Sequence, residues 1–326
     1  MAASGSVPRD SVARVIGSLG YLGPAGTFTE QAVNALAVAS GAVRTPLADV
    51  PAVLDAVRDG SVDAGVVPIE NSVEGGVNAT LDTLSSGTPL RIVAEVLLPV
   101  TFVLAAAPGT SLADVTTVLS HGHGLAQSRH WVAEHLPGAR AVVSTSTAQA
   151  AADVAGSPGS AAVCAAVAAA HHALVVLAED VGDRAGAVTR FVLVARPDAP
   201  AGALPPRTGA DRTSVVLFIR DNHPGALLEV LEQFAVRGVD LTRLESRPTG
   251  ASMGAYCFAV DIEGHVGDAR VGEALSGLHR LCRDVRFLGS YPRADHGRTR
   301  VRPGTADSDF SGSVAWLAAL RAPAGG

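Results

Sequence analysis

The sequence predicts a two-lobed α/β protein followed by a smaller domain of order βαββαβ. Three observations carry that prediction. Short apolar strands alternate with helical stretches from Val15 to about Arg196; residues 195–212 hold four prolines and two glycines with little apolar periodicity; beyond them the order of strands and helices changes. A length of 326 residues suits two or three domains, and 48 % hydrophobic against 17 % charged residues excludes a largely disordered chain. The expected boundaries are 15–196 for the two lobes (about 15–95 plus 187–196, and about 96–186), 197–211 for a linker, and 212–292 for the small domain. A tail, 293–326, is expected to be disordered apart from a short apolar piece around Trp316, and residues 1–14 to be loose.

In the first lobe, Val15 to Leu22 reads as a strand leading into Gly23-Pro-Ala-Gly-Thr-Phe-Thr29 and a helix that starts near Thr27. A strand, a glycine turn and a helix start leave backbone N–H groups aimed at whatever binds there. The dinucleotide pattern GxGxxG is absent, so a carboxylate suits this turn better than a pyrophosphate; an ordinary helix capped by Thr27 or Thr29 accounts for it equally well. A second unit follows, strand Val43–Thr45 and helix Pro51–Asp59, the proline suiting a first turn. Strand Ala64–Pro68 then delivers Glu70, Asn71 and Ser72 in three consecutive positions, followed by glycines and a helix from Asn78 to Ser85. Polar groups at the end of a buried strand, facing a glycine turn, are where open α/β proteins bind small ligands.

Strands at Ile92–Leu98 and Thr101–Ala106 are expected side by side at the passage into the second lobe. There the alternation repeats. A strand to Leu119 precedes Ser120-His-Gly-His-Gly-Leu-Ala-Gln127 and a helix; Ala141–Ser144 precedes Thr145-Ser-Thr147, which can cap the helix Ala148–Ala155; Ala161–Cys164, a helix to His171 and Leu174–Leu177 follow; and Ala187–Val194 returns as a strand. Two βα lobes with a cleft between them resemble the architecture of bilobal periplasmic binding proteins. The final 80 or so residues of regular pattern, with strand Thr213–Arg220, helix Pro224–Val236, strands Leu241–Pro248 and Ala255–Ile262, helix Asp268–Leu281 and strand Val285–Ser290, follow the ferredoxin-like order.

Composition excludes several functions. A net charge of −6 and a pI near 5.9 argue against a nucleic-acid partner. No apolar run reaches the roughly 18 residues of a membrane span and no signal-peptide core opens the chain, so a cytoplasmic protein without a membrane partner is expected. Cys164, Cys257 and Cys282 are scattered and odd in number, which suggests buried apolar residues and neither a disulfide framework nor a metal site. All 25 basic residues are arginine, which rules out a lysine Schiff base and a lysine P-loop.

Four motifs in order, Gly23-Pro-Ala-Gly-Thr-Phe-Thr29, Pro68-Ile-Glu-Asn-Ser-Val-Glu-Gly-Gly-Val77, Thr189-Arg-Phe191 and Glu245-Ser-Arg-Pro248, make the chain resemble the bacterial prephenate dehydratases from Gly20 to Pro292. The small domain resembles an ACT regulatory module. The resemblance implies decarboxylation and dehydration of prephenate to phenylpyruvate, with no cofactor, because aromatisation drives the reaction. It implies Thr189 as the essential hydroxyl, with Glu70 and Asn71 also catalytic. Thr27, Ser72, Ser120, Gln127, Ser144, Thr145 and Arg190 are the implied substrate contacts, Arg190 through its guanidinium fork, although strand alternation puts it opposite Thr189. His121 is expected to orient its loop, and Gly122-His123 departs from the family's usual pair. By the same resemblance phenylalanine binds at Asn222, Gly225, Ala226, Leu227 and Leu228 and at Glu245, Ser246, Arg247 and Pro248, between modules paired in a homodimer or homotetramer; core packing is the alternative for the two leucines. Arogenate dehydratase and a non-catalytic amino-acid sensor are the competing readings. A fused chorismate mutase is not expected, with only about twenty residues before the first strand.

Overall fold

The computed structural model describes residues 16–73, 75–184, 186–249 and 256–322. The expectation for residues 1–14, and the ends of the expected strands at Val15 and Ala255, lie outside the described residues. The described residues fall into two compact units: those up to 80 with 96–194, and 81–95 with those from 195 on.

The first unit is built on two sheets. β1 (Ser18–Leu22), β2 (Val43–Leu47), β3 (Ala64–Asn71), β5 (Arg91–Pro99) and β11 (Val188–Ala195) form one in the order β2-β1-β3-β11-β5, with the two-residue β4 (Gly75–Gly76) folded back on β3. β1 pairs in parallel with both β2 and β3, joined by α1 (Phe28–Ala35) and α2 (Val50–Asp59). The sequence writes α2 plainly. Asp49 accepts the Ala52 N–H at 2.8 Å, a proline sits in the first turn, Val50, Val53, Leu54 and Val57 are buried at helical spacing, and Gly60 closes the helix at φ 83°.

The second sheet runs β10-β6-β9-β7-β8, from β6 (Val103–Ala106), β7 (Thr117–Ser120), β8 (Arg140–Val143), β9 (Ser160–Cys164) and β10 (Val175–Ala178). Period-two alternation divides its core. Val103, Ala105, Ala162 and Cys164 pack on α6 (Thr147–Val154) and α7 (Ala166–His171) through small alanines, while Phe102, Leu104, Ala106, Ala161 and Val163 face the other way with Val118, Leu136 and Val181. The two strands expected side by side, β5 and β6, belong to different sheets: Val100 to Phe102 carry the chain from one to the other. The helix expected after Ser120 is broken into α4 (Gly122–Gln127) and α5 (Arg129–His135).

In the second unit, β12 (Asp211–Phe218), α8 (Ala226–Ala235), β13 (Leu241–Pro248), β14 (Tyr256–Glu263), α9 (Ala269–Leu281) and β15 (Asp284–Pro292) form the ferredoxin-like fold, with antiparallel strands in the order β13-β14-β12-β15. Val215, Leu217, Val260 and Ile262 bury one sheet face against Val230, Phe234, Val271, Ala274 and Leu278 of the helices. The opposite face is polar inside: Asp261, fully buried, takes bonds from Arg243 (2.8 and 3.2 Å) and Ser214 (2.6 Å), and Ser214 meets Tyr291 Oη at 2.7 Å. Residues 81–95, with the second half of α3 (Asn78–Ser85) and the start of β5, belong to this unit. Glu95 holds Arg212 at 2.6 Å, and the carbonyls of Ser86 and Gly87 accept Arg286 at 2.8 and 3.0 Å.

In the segment expected as a linker, Gly202 is buried and its carbonyl accepts Arg91 at 2.7 Å, while the carbonyl of Pro205 meets His265 Nε2 at 3.1 Å. The expectation of a disordered tail needs correction. The tail carries a fifteen-residue helix, α10 (Asp307–Arg321), anchored where Asp307 accepts the N–H of Ala269 at 2.8 Å and an Arg207 bond at 2.6 Å. The three cysteines are buried, and burial pushes the Cys164 thiol up to about 12. Among the described residues no helix is long and apolar enough to cross a membrane.

Candidate active site

β3 runs three residues beyond the sequence expectation, so Glu70 and Asn71 are strand residues, and the Gly75–Gly76 hairpin pairs back against them. That hairpin needs a residue at φ 84°, which Gly75 supplies without side-chain strain. Ser72 joins β3 to the returning strand β11: its N–H donates to the Val188 carbonyl, and its Oγ accepts the Val188 N–H, both at 2.9 Å. Next to this clamp, side chains of β3 meet side chains of its neighbour β11. Asn71 Nδ2 donates to Thr189 Oγ1 at 2.8 Å on one face, and Arg190 Nε donates to Glu70 Oε2 at 3.1 Å. Strand alternation puts these two pairs on opposite faces.

The Asn71–Thr189 face opens on a cavity of about 360 Å³ inside the first unit. Its walls are chain turns at the starts of helices. Thr27, Phe28 and Thr29 belong to the first turn of α1; His121, His123 and Gly124 to that of α4; Thr145, Ser146 and Thr147 to that of α6. Thr27 caps α1 by accepting the Glu30 N–H at 3.4 Å, and its own hydroxyl donates to the Leu22 carbonyl at 3.1 Å. Ser146 caps α6, accepting the Gln149 N–H at 2.9 Å. The N-termini of the two eight-residue helices α1 and α6 bring partial positive charge to the same cavity, which favours an anion. Gln127 lines it too, and Phe28 meets Phe102 edge to face, 5.4 Å between centroids, as an apolar wall. A compact, partly apolar anion bearing polar groups fits this lining.

A family model of prephenate dehydratase matches residues 19–199. The chain belongs to the prephenate dehydratase family. A prephenate dehydratase of Amycolatopsis methanolica is 47 % identical over 303 residues, covering 93 % of this chain and 97 % of that one. The crystal structure of a prephenate dehydratase from Arthrobacter aurescens in complex with L-Phe is 51 % identical, covers 93 % of this chain and 99 % of that one, and superposes with a TM-score of 0.88. A structure described as a novel type of quorum quenching acylase, GqqA, is 31 % identical, covers 84 % of this chain and 97 % of that one, and gives a TM-score of 0.75. The fold therefore carries more than one named activity, and the site must discriminate.

Of the residues the family resemblance implies, the structure gathers Thr27, Asn71, Gln127, Thr145 and Thr189 around the cavity. The others lie elsewhere. Arg190, with its side chain only 3 % exposed, and Glu70 face away from it as an ion pair. Ser72 is spent on the Val188 clamp. Ser120 is fully buried and donates to the Val163 carbonyl at 2.6 Å, filling space that a side chain at Gly124 would contest. Ser144 donates to Asp153 at 3.1 Å. Lining residues with no part in the sequence reading of the site are Phe102, His123, Ser146 and Thr147. Ser146 and Thr147 had a signal in the capping run 145–147, and His123 in its departure from the family's usual pair; Phe102 sits in the inter-sheet crossing whose pairing the sequence misassigned.

In the second unit, Gly225 caps α8 at φ 95°, a conformation that calls for glycine. Ala226 is buried, Leu227 packs on the core, and Leu228 is 60 % exposed. Glu245, Ser246, Arg247 and Pro248 lie on the edge strand β13, where Arg247 grips Asp82 with both nitrogens at 3.0 and 2.8 Å, and Glu245 accepts from Arg243 at 3.0 Å. Asn222 lies in the loop between β12 and α8, beside His223, whose pKa is raised first by its hydrogen bond to Glu229.

Proposed function

We propose that the chain, acting in the cytoplasm, converts prephenate to phenylpyruvate, water and carbon dioxide, and that phenylalanine bound to the ferredoxin-like unit restrains it. The observation that carries the catalytic reading is the Asn71–Thr189 hydrogen bond on the cavity wall. In the reaction the bond from the ring carbon to its carboxylate breaks and its electron pair enters the ring. The bond from ring to hydroxyl then breaks with its pair on oxygen, which takes a proton and leaves as water. Aromatisation drives the sum, so the barrier lies in expelling hydroxide.

Thr189 meets that need through its orientation. The Asn71 amide occupies one lone pair of Oγ1, which directs the threonine's own O–H elsewhere, toward substrate. A threonine is too weak an acid to surrender its proton outright, so it stabilises the departing oxygen as a preorganised donor, or relays a proton to it. Thr27, Gln127 and Thr145 supply further neutral contacts, and Phe28 and Phe102 pack on the ring. Glu70 and Arg190 hold the strands behind the site. A hydroxyl paired with an amide and not with a base is poorly prepared as a nucleophile, which favours dehydration over acyl transfer.

For regulation, phenylalanine engages the loop from Asn222 to Leu228 and the strand Glu245–Pro248; the complex of the Arthrobacter aurescens relative with L-Phe supports phenylalanine as a ligand. β13 is an edge strand that carries exposed Leu244, with exposed Tyr256 on the neighbouring β14, which suits pairing of two copies into a homodimer or homotetramer. Steady-state formation of phenylpyruvate from prephenate tests the activity, with arogenate assayed in parallel. Turnover of prephenate is the expected result; a kcat/KM for arogenate tenfold or more above that for prephenate would reassign the substrate, and no product from either would leave the sensor reading.

A further inference from the structure

The substrate proposed above carries two carboxylates, and this inference rests on that reading. Among the described residues no arginine lines the cavity that would hold it, and the chain contains no lysine. Arg190, the candidate partner for a carboxylate, is bonded to Glu70 on the reverse face. Among the described lining residues only His121 and His123 can become cations. Their rings stack, with centroids 5.0 Å apart and planes within 10°.

The two imidazoles are not equivalent. His121 Nδ1 accepts the backbone N–H of His123 at 3.3 Å, capping α4. That nitrogen therefore presents a lone pair, so His121 is the neutral tautomer protonated on Nε2. A second positive ring stacked on it would face no like charge. We propose that His123 is the cationic anchor for one substrate carboxylate, and that His121 is held neutral beneath it so that the stacked pair carries a single charge.

Among the described residues no carboxylate and no arginine lines the cavity, and the charged groups described on the surrounding elements are placed as follows. On α1, Glu30 accepts the Gly26 N–H at 2.5 Å. On α6, Asp153 accepts from Ser144 and Gln149 at 3.1 and 2.8 Å. Beyond β10, Asp183 meets the His130 ring at 3.1 Å; burial pushes its carboxyl up, but the N–H groups of His130 and Trp131 outweigh this and hold it low. Arg129 on α5, Arg140 on β8, His171 on α7 and Arg184 after β10 are exposed. His123 is exposed as well, on the rim of the cavity, so water screens its pull and the expected effect is moderate.

The test is steady-state kinetics with prephenate from about pH 6 to pH 8, the range in which imidazoles change charge. The wild-type KM should rise with pH. His123→Gln should raise KM about tenfold at the acid end, the size of one charge-assisted hydrogen bond, with kcat within about threefold, and should flatten the dependence of KM on pH. His123→Arg, with a permanent charge, should keep KM low to pH 8. A His123→Gln KM equal to the wild type across the range, or a His123→Arg KM no lower than wild type at pH 8, overturns the anchor alone. A wild type that makes no phenylpyruvate overturns the dehydratase reading instead.

Discussion

Thr189 and Arg190 are neighbours in sequence with different surroundings, because consecutive strand residues face opposite sides of a sheet. The same holds for Asn71 and Glu70 on the adjoining strand, so one pair of strands builds a neutral hydrogen-bonded couple toward the cavity and, behind it, an ion pair between buried Arg190 and part-exposed Glu70. This arrangement makes substitutions informative. Thr189→Ala should lower kcat by about 10²–10⁴ with the circular dichroism spectrum unchanged, and Thr189→Ser should retain most activity. A Thr189→Ala enzyme with near-normal kcat would remove this hydroxyl from the mechanism. Asn71→Asp is the sharper probe. A carboxylate only accepts, so it would draw the Thr189 O–H toward itself and away from the leaving oxygen, and kcat should fall by about 10² although the side chains are nearly isosteric.

At the scale of elements, the site is assembled from helix starts and strand ends that are remote in sequence. α3 follows the β3–β4 hairpin that carries Asn71. Thr80 Oγ1 donates to the Pro68 carbonyl at 2.5 Å, and two residues on Asp82 receives both forks of Arg247. Arg247 lies in the strand proposed to hold phenylalanine, so an effector there acts on a residue already bonded to α3. Asp82→Asn is expected to leave kcat without phenylalanine within about twofold and to raise the half-inhibitory phenylalanine concentration at least about fivefold, the lower range of ordinary coupling energies. Inhibition curves that superpose for the two proteins would exclude this ion pair from regulation.

For the whole molecule, the grouping of residues 81–95 with the ferredoxin-like unit bears on how regulation can be studied. Removing that unit by truncation near Pro206 would strip Glu95, Ser86 and Gly87 of their arginine partners, so point substitutions are the cleaner route. The carboxylates of this unit also set its acid limit. Asp295, bonded to Arg293 at 2.9 and 2.7 Å, has its pKa lowered to about 2 by that hydrogen bond, and Asp307 is held low by the Ala269 N–H and by Arg207. A carboxyl whose folded value lies below its unfolded value of about 3.9 adds stability that is complete above that value and is lost as pH falls toward the folded one. Thermal unfolding should therefore show Tm falling from about pH 4 to pH 2, with a shallower slope for Asp295→Asn; parallel slopes would discount this pair.

The fold class was legible because each element carries its own local signal: period-two alternation in β6 and β9, the cap, proline and glycine of α2, and the βαββαβ order after the prolines. The tail was not, since the sequence of α10 shows few long-range signals and its start is fixed by Asp307 bonding to Ala269 and Arg207, far away in the chain. Which polar residues carry the chemistry divides the same way. Sequence alone determined that no lysine could act, that the Glu70-Asn71-Ser72 run closes a buried strand, and that Thr27 and the 145–147 run start helices. Alternation already put Arg190 opposite Thr189; only the tertiary structure decided that Asn71 faces the cavity with Thr189, that Glu70 turns from it to pair with Arg190, that Ser120 and Ser144 serve the framework, and that His123 stands on the rim. The physical reason is that side-chain direction depends on where a strand ends and which strand it pairs with. β3 continues to Asn71 because β11 and the adjoining Gly75–Gly76 hairpin pair with it, and β11 lies more than a hundred residues further along the chain.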